Sequence, residues 1–111
     1  MEAKERARAW ALANPERVKE VKRKSHWKLR REVLSAYCEA DIVCAQCGFT
    51  DIRALQLDHI DGGGAKQARE LKGRGWTLYR WLRKNNFPQG YQVLCANCNW
   101  IKRHTNEEWG K

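Results

Sequence analysis

Cys44-Ala45-Gln46-Cys47 and Cys95-Ala96-Asn97-Cys98 form two Cys-x-x-Cys pairs, and between them runs Leu55-Gln56-Leu57-Asp58-His59-Ile60-Asp61-Gly62-Gly63-Gly64. A gap of two residues lets one backbone turn aim two sulfurs at a single point. Two such turns complete the tetrahedral four-thiolate shell that structural zinc prefers. A redox dithiol and unligated thiols are the alternatives for the same residues. Disulfides fit poorly, because five cysteines is an odd number and the N-terminus, MEAKERARAW, lacks the apolar core of an export signal. Four thiolates leave no position for water, so this zinc is expected to hold the fold and take no part in catalysis. Cys38, outside both pairs, reads as a small buried apolar residue at a helix end.

Working outward, Arg53-Ala54-Leu55-Gln56-Leu57-Asp58 alternates with Leu55 and Leu57 on one face, the pattern of a half-buried strand that ends at Asp58-His59. Three successive glycines then carry too much backbone freedom for helix or strand, so Asp61 to Gly64 reads as a loop. Lys66 to Lys72 has helix-forming composition. Thr77 is placed to cap a helix from Leu78 to Asn85 that packs Leu78, Trp81 and Leu82. Tyr91-Gln92-Val93-Leu94 reads as a second short strand running into Cys95. A last helix runs from Cys98 to about Glu108 and presents Trp100, Ile101 and His104. Trp76, Trp81 and Trp100 read as core aromatics, since a small domain has few other large residues to bury.

Charge divides the chain in two. Residues 1–37 hold 11 Lys and Arg against 5 acidic residues with no glycine, whereas residues 38–111 hold 11 against 8 and all the glycine. The first part reads as a basic helical arm. Met1 to Ala13 is rich in helix formers, Asn14-Pro15-Glu16 offers an N-cap, a first-turn proline and an acid, and a second helix should follow to Tyr37. Its apolar residues cluster late, at Trp27, Leu29, Val33, Leu34 and Tyr37, so only its C-terminal half is fit to dock on a core. Residues 38–111 read as one small α+β domain, whose 111-residue chain is short enough to need a staple. A net charge of +9 and a mean hydropathy of -0.82 point to a polyanion as partner and away from a membrane. The chain is expected in the cytoplasm of a bacterial or phage-infected cell.

The order Cys44-x-x-Cys47, Leu57-Asp58-His59-Ile60-Asp61-Gly62-Gly63-Gly64, then Val93-Leu94-Cys95-x-x-Cys98-Asn99-x-x-Lys102 resembles the zinc-containing HNH endonucleases, especially the small bacteriophage ones, over roughly residues 38–106. The resemblance implies a treble-clef-like ββα-metal fold. It also implies cleavage of DNA phosphodiesters, with His59 taking a proton from the attacking water and Asp58 and Asn99 holding a catalytic divalent metal. Asn99 stands where the family usually has histidine, as in the H-N-N variants, and an amide oxygen favours Mg2+ or Mn2+ over zinc. The family's middle asparagine would fall at Gly90. Asn86 is the residue chosen for that role, ahead of Asn85 and Asn97.

Phosphodiester hydrolysis needs a base to activate water and a cation to neutralise developing charge, and Asp58, His59 and Asn99 cover both needs. Arg17, Lys19, Lys22, Arg23, Lys24 and Lys28 on the arm, with Lys102 and Arg103 near the site, are expected to contact DNA phosphates irrespective of sequence. His26 reads as part of that cationic face, and His104 as a phosphate contact or a substitute metal ligand. The expected species is a monomer or weak dimer on DNA, with phage packaging proteins as further candidate partners. Two rival readings use the same residues: a catalytically silent zinc-stabilised module that binds DNA or docks on a larger machine, and an RNA-binding zinc ribbon.

Overall fold

The computed structural model describes residues 2–107, so Met1 and Glu108, the outer bounds of two expected helices, lie outside the described residues. Among the described residues, five α-helices and one two-stranded antiparallel sheet make a small α+β architecture. Helix α1 spans Ala3–Ala13 and α2 spans Pro15–Ala36. Pro15 opens α2 as expected, its fixed φ suiting the first turn. Asn14 acts differently from expectation: its side-chain amide donates to Trp10 O at 2.8 Å, closing α1, and makes no capping bond to α2.

Strand β1 is Leu55–His59 and β2 is Tyr91–Cys95, with Leu55 opposite Cys95, Leu57 opposite Val93 and His59 opposite Tyr91. The expected strand start at Arg53 gives way to a 3₁₀ turn over Ile52–Ala54. Asp51 causes this, accepting the Arg53 N–H at 3.0 Å and pairing with its guanidinium. Between the strands lie α3, Gly64–Leu71, and α4, Trp76–Lys84; α5, Ala96–Thr105, follows β2. Gly63 takes φ +89 and turns the chain into α3, so the glycine run is a turn whose last member is already helical. Helix α4 begins at Trp76 behind Gly75, and Thr77 lies inside its first turn rather than capping it.

Two buried clusters hold these elements together. Leu34, Cys44, Leu55, Val93, Leu94 and Cys95 join α2 to the sheet and the cysteines, while Leu29 and Val33 of α2 meet Leu82 of α4. Leu29, Val33 and Leu82 are almost fully buried, so truncating one to Ala should cost roughly 2–5 kcal/mol. The packed unit therefore reaches back to about Leu29, inside the segment set apart by charge as an arm. Ahead of it α2 is exposed apart from half-buried Val18 and Trp27. His26 is stacked on Trp76 at 4.1 Å between ring centroids and 9° between planes, which joins the basic face to α4. Arg30 extends its guanidinium to the Leu55 carbonyl and ties α2 to the start of β1. No helix among the described residues is long and apolar enough to cross a membrane.

Candidate functional site

The cysteines converge as their spacing requires. The Sγ atoms of Cys44, Cys47, Cys95 and Cys98 all lie within 4.8 Å of one another. Zn–S bonds of about 2.3 Å in a tetrahedron set ligand sulfurs roughly 3.8 Å apart, and Cys47 Sγ lies 3.7 Å from Cys95 Sγ. Both turns are built alike: the Cys47 N–H points at Cys44 Sγ at 3.5 Å, and the Cys98 N–H at Cys95 Sγ at 3.4 Å. Gly48, at φ +79, lets the first turn close directly after Cys47. The second turn doubles as the cap of α5.

The electrostatics fit a cation. Burial works against the Cys44 thiolate, but backbone N–H groups of Cys95, Cys47 and Gln46 and the Cys47 thiol outweigh it and draw it from 9.0 down to about 6. Cys98 is pushed up to about 12, first by its contact with the Cys95 sulfur, then by burial, the other two sulfurs and the charge of Cys44. Cys47 is raised as well, the favourable Phe49 backbone contact being outweighed by Cys44, burial and Cys95. The Cys44 thiolate is favoured and its charge opposes ionisation of Cys98, an opposition that a bound divalent ion would remove. The four cysteines are thus placed to bind a metal ion, consistent with structural zinc. Cys38 is half-buried against the same cluster, its thiol directed at Val43 O at 3.9 Å.

Asp58 and His59, toward the other end of the sheet, and Asn99 of α5 line one open cleft of about 370 Å³, with Gly62 to Gly64, Gln67, Arg74, Tyr79 and Arg103 among its walls. Alternation along β1 would send Asp58 and His59 to opposite faces. The strand ends at His59, where the Gly62 N–H bonds its carbonyl at 2.9 Å, and both residues border the cleft. Asp58 is 6 % exposed. Its Oδ2 accepts the Gln92 amide at 2.9 Å and pairs with Lys102 Nζ at 3.4 Å. Asn99 donates its amide N–H to Gln56 Oε1 at 2.6 Å, which leaves its carbonyl oxygen to act as acceptor. His59 Nε2 lies 2.5 Å from Gln67 Oε1, and Gln67 Nε2 donates to the Tyr91 hydroxyl at 2.7 Å.

Several expected site residues lie elsewhere or act differently. Asn86 is exposed in the left-handed turn after α4, at φ +57, and is not among the residues lining the cleft. Lys102, expected among the DNA contacts, points inward to Asp58 and to the His59 carbonyl at 3.2 Å. Trp100 is 55 % exposed, contrary to its reading as a core aromatic, because the inner face of α5 is taken by Cys98, Asn99 and Lys102. It meets His104 edge-on at 5.1 Å and Arg103 at 5.9 Å, and His104 stays on the exposed side of the helix. Arg17, Lys19, Lys22, Arg23, Lys24 and Lys28 are all exposed along α2; Lys19 and Lys24 form surface pairs with Glu16 and Glu20.

The sequence reading overlooked Gln56, Gln67, Tyr91 and Gln92, which hold Asn99, His59 and Asp58. Gln56 and Asp58 share a strand face by period, and Gln92 stands opposite Asp58 in the ladder; no local pattern announces Gln67. No protein-family model matches the chain, and the comparisons with curated proteins and solved structures found no match.

Proposed function

We propose that this chain is a metal-dependent DNA endonuclease of the HNH kind, with a ββα-metal fold stapled by zinc on Cys44, Cys47, Cys95 and Cys98. The observation that carries the reading is the meeting of Asp58, His59 and Asn99 in one cleft walled also by Arg74 and Arg103. They come from two different elements, and they are the three residues that phosphodiester chemistry needs together: two oxygen donors and a base. In this reading Arg74 and Arg103 hold the phosphate, and His59 takes the proton from the attacking water. The Asp58 carboxylate and the Asn99 amide oxygen are the donors for Mg2+ or Mn2+. That ion, when bound, neutralises charge on the phosphate and the departing 3′ oxygen. The exposed cations of α2 supply affinity for duplex DNA without reading its sequence.

A second reading is favoured by one contact. The Lys102 ammonium already neutralises Asp58, and Gln92 donates to the same carboxylate oxygen, as suits a catalytically silent zinc-stabilised DNA-binding or docking module. Supercoiled plasmid incubated with Mg2+ or Mn2+, with and without chelator, separates the two. Chelator-sensitive relaxation or linearisation supports the nuclease. Binding without any cleavage at either ion supports the silent module.

A further inference from the structure

Helix α3 carries one long polar side chain to the back of His59. Gln67 lies one turn into that helix, its backbone N–H bonded to the Gly63 carbonyl at 3.0 Å. Its side chain spans two partners: the carbonyl oxygen meets His59 Nε2 at 2.5 Å, and the amide nitrogen meets the Tyr91 hydroxyl at 2.7 Å. Tyr91 in turn sets its ring edge against the imidazole, 4.9 Å between centroids, and stands opposite His59 in the sheet ladder. Three elements thus close a small ring of contacts about His59, and Gln67 is its only amide.

An amide has one accepting and one donating end. With its nitrogen turned to Tyr91, Gln67 offers His59 an acceptor, which in the neutral imidazole requires the proton on Nε2. The accepting nitrogen is then Nδ1. That atom lies beside Gly64, where a Cβ would come within 3.2 Å of it and 3.3 Å of Cε1. A side chain at this position would press on that edge of the ring, and Gly64 and His59 both line the cleft.

We propose that Gln67 is the positioning residue of His59: it selects the Nε2–H tautomer and fixes the ring so that Nδ1 faces the cleft as the proton acceptor. The assignment of the tautomer stands on the hydrogen bonds alone; its catalytic consequence rests on the nuclease reading above. It gives α3 a role that the sequence motif does not contain.

The test is nitrogen-15 NMR of the His59 side chain in the zinc-loaded protein, at a pH where imidazoles are neutral, together with plasmid-cleavage kinetics. Wild type is expected to show a protonated Nε2 and an unprotonated Nδ1. Gln67→Ala should show mixed tautomers, with kcat reduced roughly ten- to a hundredfold and KM for DNA unchanged. Gln67→Glu keeps an acceptor at the same reach and should restore both the tautomer and most of kcat. A wild-type His59 protonated on Nδ1 would mean the amide faces the other way and would overturn the proposal. So would a Gln67→Ala protein with unchanged tautomer and kcat. Absence of cleavage in wild type with the Nε2–H signal present would overturn the nuclease reading, while the tautomer assignment would stand.

Discussion

The two ends of the β1–β2 ladder are built by opposite means. At the end where Leu55 faces Cys95, the cysteine cluster comes from two local turns, each with a sulfur accepting the N–H three residues on. Toward the other end, where His59 faces Tyr91, side chains from separate elements do the holding: Gln92 of β2 for Asp58 and Gln67 of α3 for His59, while Asn99, next to Cys98, is held by Gln56 nearer the cysteines. Four steps of about 3.4 Å separate the ends, so the same short sheet carries both. One end is specified by the spacing of its cysteines. In this account the other needs the first to set the register of the ladder.

That dependence predicts the largest effect. Cys44→Ser or Cys98→Ser should remove the metal, whose binding contributes folding free energy directly, and yield an unfolded or insoluble chain. Circular dichroism with elemental analysis checks this; a folded, zinc-free variant would show that the two ends are independent. Next in size is Lys102→Met, which strips the countercharge from nearly buried Asp58. Destabilisation of about 3 kcal/mol is expected in denaturant unfolding. Millimolar Mg2+ should recover part of it if the carboxylate accepts a cation in place of the ammonium, and none under the silent-module reading.

The exposed half of α2 sharpens the contrast from outside. Deleting residues up to Lys24 should leave both ends of the sheet intact, since burial in α2 begins at Leu29. DNA affinity should fall, and the slope of log affinity against log salt should flatten by roughly 0.9 for each phosphate that the shortened chain no longer neutralises. Unchanged slope would place the DNA-binding surface elsewhere. The smallest effect concerns Tyr37, whose hydroxyl donates to Pro88 O at 2.7 Å. Burial first, and Tyr91 second, push it from 10.0 up to about 12. Its protonated form is the one the fold favours, so that stability is complete below about pH 10 and is lost as pH rises through about 12. Tyr37→Phe should lose about 1 kcal/mol at neutral pH and flatten the alkaline fall.

The same contrast governs what could be read from sequence. Spacing and alternation are local, so the cysteine shell, both strands and the break after His59 were legible to within a few residues. Side chains with a choice of partner depart from the sequence expectation: Asn14 closes the helix before it instead of opening the one after, and Asp51 bends Ile52 to Ala54, the expected strand start, into a 3₁₀ turn. Trp100 and Lys102 were transposed, because hydrophobicity alone assigns the indole inward, whereas α5 turns its lysine to buried Asp58. Asp58, His59 and Asn99 were legible as residue types. The glutamines that orient them were not, since a glutamine gains meaning only from the atom it faces in the folded chain.

The central claim, that the far end of the ladder is a nuclease centre worked by His59, is tested most directly by His59→Ala. With zinc content, thermal unfolding and DNA affinity matched to wild type, plasmid cleavage in Mg2+ should fall by roughly two or more orders of magnitude. Cleavage undiminished in the rigorously purified variant would contradict the account.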